Sequence, residues 1–264
     1  MRIVVLGSAQ DGGIPQVGSP SPAAPRTASS IALVWEDRVV LVDASIDLRY
    51  QWPPLRPRRL AGILLTHGHV GHYAGLVHLG KEAAAVHDVP VWASPRMLTF
   101  LDTNEPWRSL FTARHLVDRV VDAGDEVVLG EGWRAVPRRV PHRAEFTDTF
   151  AWSIVGDGLR LLYLPDVDTW SGWDAAGFVG EHDVALVDGT FWSDDEPPGR
   201  DRAAVPHPSI VESLEVFAEL AGRCRIVFTH LNHTNPVGVP EGPEATTVRD
   251  LGFEVAYDGM EFVA

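Results

Sequence analysis

Thr66-His67-Gly68-His69-Val70-Gly71-His72 follows the apolar run Gly62 to Leu65 and precedes residues with helical spacing. Three imidazoles therefore fall within six residues, where a buried strand gives way to a helix. Such a junction turns several side chains to one side at the carboxyl edge of a sheet. Neutral imidazole is a good ligand for zinc and for iron, and three at this spacing can converge on one ion. A single histidine here would read as a solvated loop residue. Three, set among glycines and apolar residues, point to a metal.

Outward from this cluster the chain alternates strand-like and helix-like segments. Ile3 to Leu6 reads as a strand, followed by a Gly/Pro/Ser-rich loop from Gly7 to about Ala28. Ser30 to Trp35 and Val39 to Asp43 form a hairpin across Glu36-Asp37-Arg38. Leu76, Leu79 and Ala83 predict a helix from His72 to about Val86. Val89 to Trp92 reads as a strand, and Pro95 to about Leu110 as a helix interrupted near Pro106.

The second half repeats the pattern. Val127 to Leu129 and Trp133 to Val140 are strands, and Phe150 to Val155 joins Leu159 to Leu164 through the turn Gly156-Asp157-Gly158. Val184 to Val187 and Arg225 to Phe228 are further strands, Ile210 to Leu220 is an amphipathic helix, and Gly252 to Val263 holds terminal strands. The long Asp/Pro-rich segment Trp192 to Ser209 reads as a lid or a surface excursion. No short-period repeat or dividing linker is present, so residues 1–264 read as a single α/β domain.

Several of these strands end on metal-binding residue types. His142 follows Trp133 to Val140, Asp166 follows Leu161 to Leu164, and His230 follows Ile226 to Phe228. Each alone is weak; together they sit where ligands gather in layered α/β folds. Asp188 also ends a strand and is assigned the orienting of a histidine ligand. Asp168 reads as the cap of a short helix starting at Trp170. Trp170, Trp173 and Trp192 either line a pocket or pack as core, and Tyr73 faces either substrate or core.

The bulk numbers bound the partners. Lys and Arg number 22 against 36 Asp and Glu, a formal charge of −14, which repels phosphate backbones and argues against nucleic acid. No stretch reaches the roughly 18 apolar residues that span a bilayer. The amino terminus lacks the apolar core of a secretory signal, so the cytoplasm is the expected compartment. The lone Cys224 can form no internal disulfide and reads as a small buried hydrophobe. The expected partner is a small-molecule substrate, with a homodimer compatible with the sequence.

The ligand set resembles the metallo-β-lactamase superfamily, whose signature is His-x-His-x-Asp-His followed by a later His, an Asp and a final His. The resemblance implies a four-layer αβ/βα sandwich. His67, His69 and His142 would hold one metal, and His72 and His230 a second, with Asp166 bridging. A closer similarity runs over nearly the whole chain. Gly7-Ser8-Ala9 with Gly12-Gly13 and Pro15-Gln16, Arg26-Thr27 with Ser29-Ser30, Val187 to Trp192, Thr234-Asn235-Pro236 and Val255 to Glu261 are similar to the pyrroloquinoline quinone biosynthesis protein B family. Many members of that family carry cysteines after the Pro-Gln motif, consistent with a structural zinc. Val17 to Ala28 has none, so that metal is not expected. Members often have a degraded histidine motif, whereas all three histidines stand here, which favours a side branch with its own substrate.

Gly71 stands where the superfamily has its aspartate. Two readings follow. A hydrolase would work with one tight metal or an asymmetric pair, zinc first, with His233 replacing the missing carboxylate as proton donor or base. Alternatively two histidines and a carboxylate form the open facial triad of non-haem iron oxygenases, and an oxidative step in cofactor or natural-product assembly results. One or two divalent ions are expected, with iron or manganese as alternatives to zinc. The hydrolase, acting on an ester, lactone, thioester or phosphodiester, is preferred because the His67, His69 and His142 site looks complete. Asp166, His233 and Asp188 are its catalytic candidates. A non-catalytic carrier of a cofactor precursor is the third reading.

Overall fold

A computed structural model describes residues 1–196 and 205–263. The centre of the Trp192 to Ser209 segment, residues 197–204, lies outside the described residues. Among the described residues fourteen strands run in chain order as β1 (Arg2–Gly7), β2 (Ser30–Val34), β3 (Arg38–Val42), β4 (Arg59–Leu64), β5 (Val89–Ala93), β6 (Leu116–Val120), β7 (Val127–Gly130), β8 (Trp133–Arg139), β9 (Phe150–Gly156), β10 (Leu159–Leu164), β11 (Val184–Asp188), β12 (Arg225–Thr229), β13 (Glu254–Val255) and β14 (Glu261–Val263). They form two seven-stranded sheets, ordered β14-β1-β2-β3-β4-β5-β6 and β13-β12-β11-β10-β9-β8-β7.

The period of two along each strand explains why two sheets stack. Ile3, Val5, Ile31, Leu33, Val40 and Val42 pack against Trp133, Phe150, Trp152, Leu161, Tyr163 and Leu186 of the other sheet. The alternate residues Val4, Ala32, Val34 and Leu41 turn the other way, onto Leu48, Leu76, Met97 and Leu101. In the second sheet Leu162, Leu164, Ala185 and Val187 likewise meet Phe178, Ile210, Phe217 and Val248. With both faces buried, these strands read as continuous apolar runs rather than alternating ones. Helix, sheet, sheet and helix are thus the four layers of an αβ/βα sandwich.

Trp152, fully buried between the sheets, donates its indole N–H to the Leu65 carbonyl at 3.1 Å, immediately before Thr66 and His67. Trp152→Phe keeps most of the volume but leaves that carbonyl without its donor. The expected cost is about 1–3 kcal/mol in urea unfolding, and an unchanged midpoint would contradict it.

Local readings fare unevenly. The turn between β9 and β10 has Asp157 at φ 47° and Gly158 at φ 79°, the left-handed pair that a two-residue hairpin requires. Pro106 does break the Pro95 to Leu110 helix, into Pro95–Thr103 and Trp107–Thr112. The helix expected from His72 to Val86 is instead one turn, Val70–Tyr73, followed by a 3₁₀ segment, Ala74–Leu79. Gly75 lies so close to the Ala44-Ser45 backbone that a Cβ there would come within 1.9 Å of the Ser45 carbonyl, so contact with this loop sets the local path. β6 escapes the sequence pattern because only Leu116 is buried; Asp118, Arg119 and Val120 face solvent on an edge strand. Cys224 is buried, its thiol pushed up to about 11 by burial and then by Asp183. Among the described residues no helix is long and apolar enough to cross a membrane.

Candidate metal centre

The carboxyl ends of strands from both sheets meet at one edge. β4 leads into Thr66-His67, β8 into His142, β10 into Asp166, β11 ends at Asp188, and β12 leads into His230. Asp43, just after β3, and His230 hold φ of 64° and 62°, conformations that cost non-glycine residues of order 1–3 kcal/mol. Such strain persists only where surrounding contacts impose it, and here it falls on two residues of the cluster.

His67 Nε2 lies 2.9 Å from His69 Nδ1, which lies 3.2 Å from His142 Nε2. Asp166 closes the group, with Oδ1 at 3.7 Å from His142 Nε2 and Oδ2 at 4.0 Å from His67 Nε2. One ligand atom from each of the four lies within 4.8 Å of the others. Donors around a tetrahedral zinc, at about 2.0–2.1 Å from the ion, stand roughly 3.3 Å apart. The spacing fits an ion of that size.

The outer nitrogens explain why the inner ones face each other. His67 Nδ1 is 2.9 Å from Thr66 Oγ1, whose hydroxyl also reaches Asp43 at 2.9 Å. His142 Nδ1 pairs with Asp168 Oδ1 at 2.9 Å. A carboxylate or hydroxyl on one ring nitrogen fixes the tautomer and turns the other nitrogen's lone pair inward. Burial, and then the neighbouring His72 ring, pushes His67 well below its ordinary value; burial takes His69 down to about 4. Both rings are therefore neutral at pH 7 and able to ligate.

A second group shares Asp166. Its Oδ2 is 3.2 Å from His72 Nε2 and 3.4 Å from His230 Nε2. His72 Nδ1 donates to Asp43 Oδ2 at 2.7 Å, and His230 Nδ1 is 2.9 Å from Thr190 Oγ1. Asp11, from the loop after β1, joins His72 and His230 within 4.8 Å. Burial would lower His72, but Asp43 and Asp166 outweigh it and hold the ring well above its ordinary value. Burial would raise Asp166, yet His230, His67 and His72 hold it well below. Asp166 is thus an ionised carboxylate buried among imidazoles.

Asp188 serves two histidines. Its Oδ2 accepts from His207 Nδ1 at 2.7 Å, and its Oδ1 accepts from Thr190 Oγ1 at 2.8 Å, which in turn contacts His230. His207 was invisible in the sequence. It is buried against His142 and His230, with ring centroids 5.5 and 6.0 Å away, and forms a group with Asp166 and His230. Its only signal was a place just before Ser209, the cap of the helix Ile210–Val216.

One assignment, that of Asp168, is corrected, and three further residues are placed. Asp168 does not cap a helix; it orients His142 and accepts from Arg143 N, while the helix Ala175–Gly180 is capped by Asp174. The carboxylate lying against Gly71 is that of Asp11, and His233 is held by a neighbouring loop residue. Its Nδ1 contacts Asn232 Oδ1 at 3.1 Å, and it lines a cleft of about 620 Å³ with Ser21, Trp192 and Pro236. Trp170 packs on Phe217 and Tyr73 on Phe100 and Trp107, so both are core.

Asp43 also escaped the sequence, although it is wholly buried and accepts from both Thr66 and His72. Asp43→Ala is expected to lower metal affinity about 10–100-fold, read by competition with a chelator. Unchanged affinity would show that His72 needs no orienting.

Residues 38–231 match the β-lactamase superfamily domain. Coenzyme PQQ synthesis protein B of Xanthomonas oryzae pv. oryzae is 31% identical, covering 99% of this chain and 99% of the relative. The protein of that name from Gluconacetobacter diazotrophicus is 32% identical over 98% of each. The crystal structure of zinc-bound PqqB from Methylobacterium extorquens superposes with a TM-score of 0.86 at 26% identity, covering 100% of both chains. A diphosphatase of the PhnP family shares the fold at a TM-score of 0.73 and 23% identity, with 99% of this chain and 97% of that one covered.

Proposed function

The chain belongs to the β-lactamase superfamily and, within it, to the coenzyme PQQ synthesis protein B family, and from that premise we propose that it is a metal-dependent hydrolase of a small ester, lactone, thioester or phosphodiester. The observation that carries this reading is the convergence of His67, His69, His142 and Asp166, four donors with inward-turned lone pairs. Zinc is the proposed ion, in keeping with the zinc-bound relative. A divalent ion here would polarise the scissile group and lower the pKa of a bound water to about 7.

The protein's own residues do the rest. Asp166, kept ionised, faces both histidine groups and can hold an attacking water by accepting its hydrogen bond. His207 is the proposed proton donor to the leaving group. Burial would lower it, but Asp188 outweighs burial and raises it, so the ring keeps a proton to give to higher pH than a free imidazole does. The charge of −14 directs the proposal to small substrates rather than nucleic acid.

An oxidative reading has its own support. Asp166, His72 and His230 make a two-histidine, one-carboxylate set of the type that holds non-haem iron, and the relatives are named for synthesis of a quinone cofactor. Metal analysis of protein purified without added metal separates the two, run beside an esterase, lactonase and phosphodiesterase panel. Zinc with turnover of one class supports hydrolysis. Near-stoichiometric iron with oxygen uptake and no hydrolysis sinks it.

A further inference from the structure

Gly71 cannot carry a side chain in this fold, and the obstacle is one residue. A Cβ built on it would lie 2.1 Å from Asp11 Oδ1 and 2.6 Å from Asp11 Cα. In an aspartate the carboxylate oxygens stand about 2.4 Å from their own Cβ. Asp11 thus brings a carboxylate oxygen into the space that an aspartate side chain at position 71 would occupy.

The placement is built rather than incidental. Gly71 N donates to Asp11 Oδ1 at 3.1 Å. The preceding residue is pinned by Gln10 N donating to the Leu231 carbonyl at 2.9 Å, next to His230, and Ala9 N donates to the Thr27 carbonyl at 2.9 Å. Asp11 Oδ1 then stands 3.6 Å from His72 Nε2. Two further buried atoms face this spot, His230 Nε2, which makes no hydrogen bond, and Asp166 Oδ2, 3.4 Å from it and 3.2 Å from His72 Nε2. A buried polar atom left without a hydrogen bond is costly, and a cation between the two would satisfy both.

We propose that Asp11 is the relocated carboxylate ligand of a second divalent-ion site, completed by His72, His230 and the shared Asp166. Aspartate at position 11 and glycine at position 71 form an exclusive pair, since only one of the two positions can hold a carboxylate there. The centre is then a two-ion site, not a lopsided remnant. This deepens the metal-dependent reading above and rests on it for the metal, but not for the reaction.

The test is metal uptake. Metal-stripped protein is titrated with Zn²⁺, followed by elemental analysis and calorimetry, and with Co²⁺, followed by absorption. The full chain should take two equivalents. Asp11→Asn should keep the first and bind the second at least tenfold more weakly. The proposal is overturned by a single equivalent in the unaltered chain, by unchanged second-ion affinity in Asp11→Asn, or by loss of both ions from Asp11→Asn with an unaltered circular dichroism spectrum. None of these readouts needs turnover, so a silent hydrolase panel leaves them decisive.

Discussion

The His67→Ala, His69→Ala double variant is expected to fold, to lose the tightly held ion, and to drop hydrolysis to background, at least about 10³-fold. Neither histidine belongs to the three apolar clusters that hold the layers together, so the sandwich should survive. What disappears is half of a four-donor set, leaving His142 and Asp166 alone. Ion binding at closed four-donor protein sites is worth roughly 10–16 kcal/mol, and two of the four donors cannot sustain that. Elemental analysis beside circular dichroism makes the measurement. Full metal content with unaltered turnover would place the metal chemistry elsewhere in the molecule.

His207→Ala should behave differently. Turnover is expected to fall about 10²–10⁴-fold, the usual loss of a positioned proton donor, with the metal content kept. Because Asp188 raises the ring against burial, the donor keeps its proton to higher pH than a free imidazole and is lost as pH climbs through its raised value. The unaltered protein should therefore lose rate on the alkaline side, and the variant should lack that limb. Poor substrates should suffer most, since they need the leaving group protonated. If the metal departs with the imidazole, His207 is a ligand; if the rate is unmoved, the donor lies elsewhere.

The layered fold was legible because its strands are apolar on both faces, and a run such as Ile3 to Leu6 can do little else than lie within a sandwich. His67, His69 and His72 were legible because they crowd into one junction. Asp43, Asp11 and His207 were not, each for a spatial reason. Asp43 meets Thr66 and His72 only because β3 and β4 are parallel neighbours. Asp11 meets Gly71 through a loop whose path is fixed by Leu231 and Thr27, residues far off in the chain. His207 depends on Asp188 to be turned toward the cluster. Asp168 was misread because a carboxylate before a helical stretch has the same local appearance whether it caps the helix or reaches back to His142. Local pattern names residue types able to do chemistry; register and loop path decide which of them meet.

The donors are divided between the halves of the sandwich. His67, His69, His72 and Asp11 hang from the first sheet, whereas His142, Asp166 and His230 hang from the second. An ion held by both would act as a crosslink, tying two layers that otherwise meet through side-chain packing and a few hydrogen bonds such as Trp152 to Leu65 and Gln10 to Leu231. It would favour the closed chain over every state in which the halves part, by an amount that grows with free metal concentration. Segments distant in sequence would share that restraint, so the entropy of closing long loops is offset at a single point. Catalytic readiness and resistance to opening would then vary together with the supply of one ion, and the bare protein would be the looser as well as the idle form.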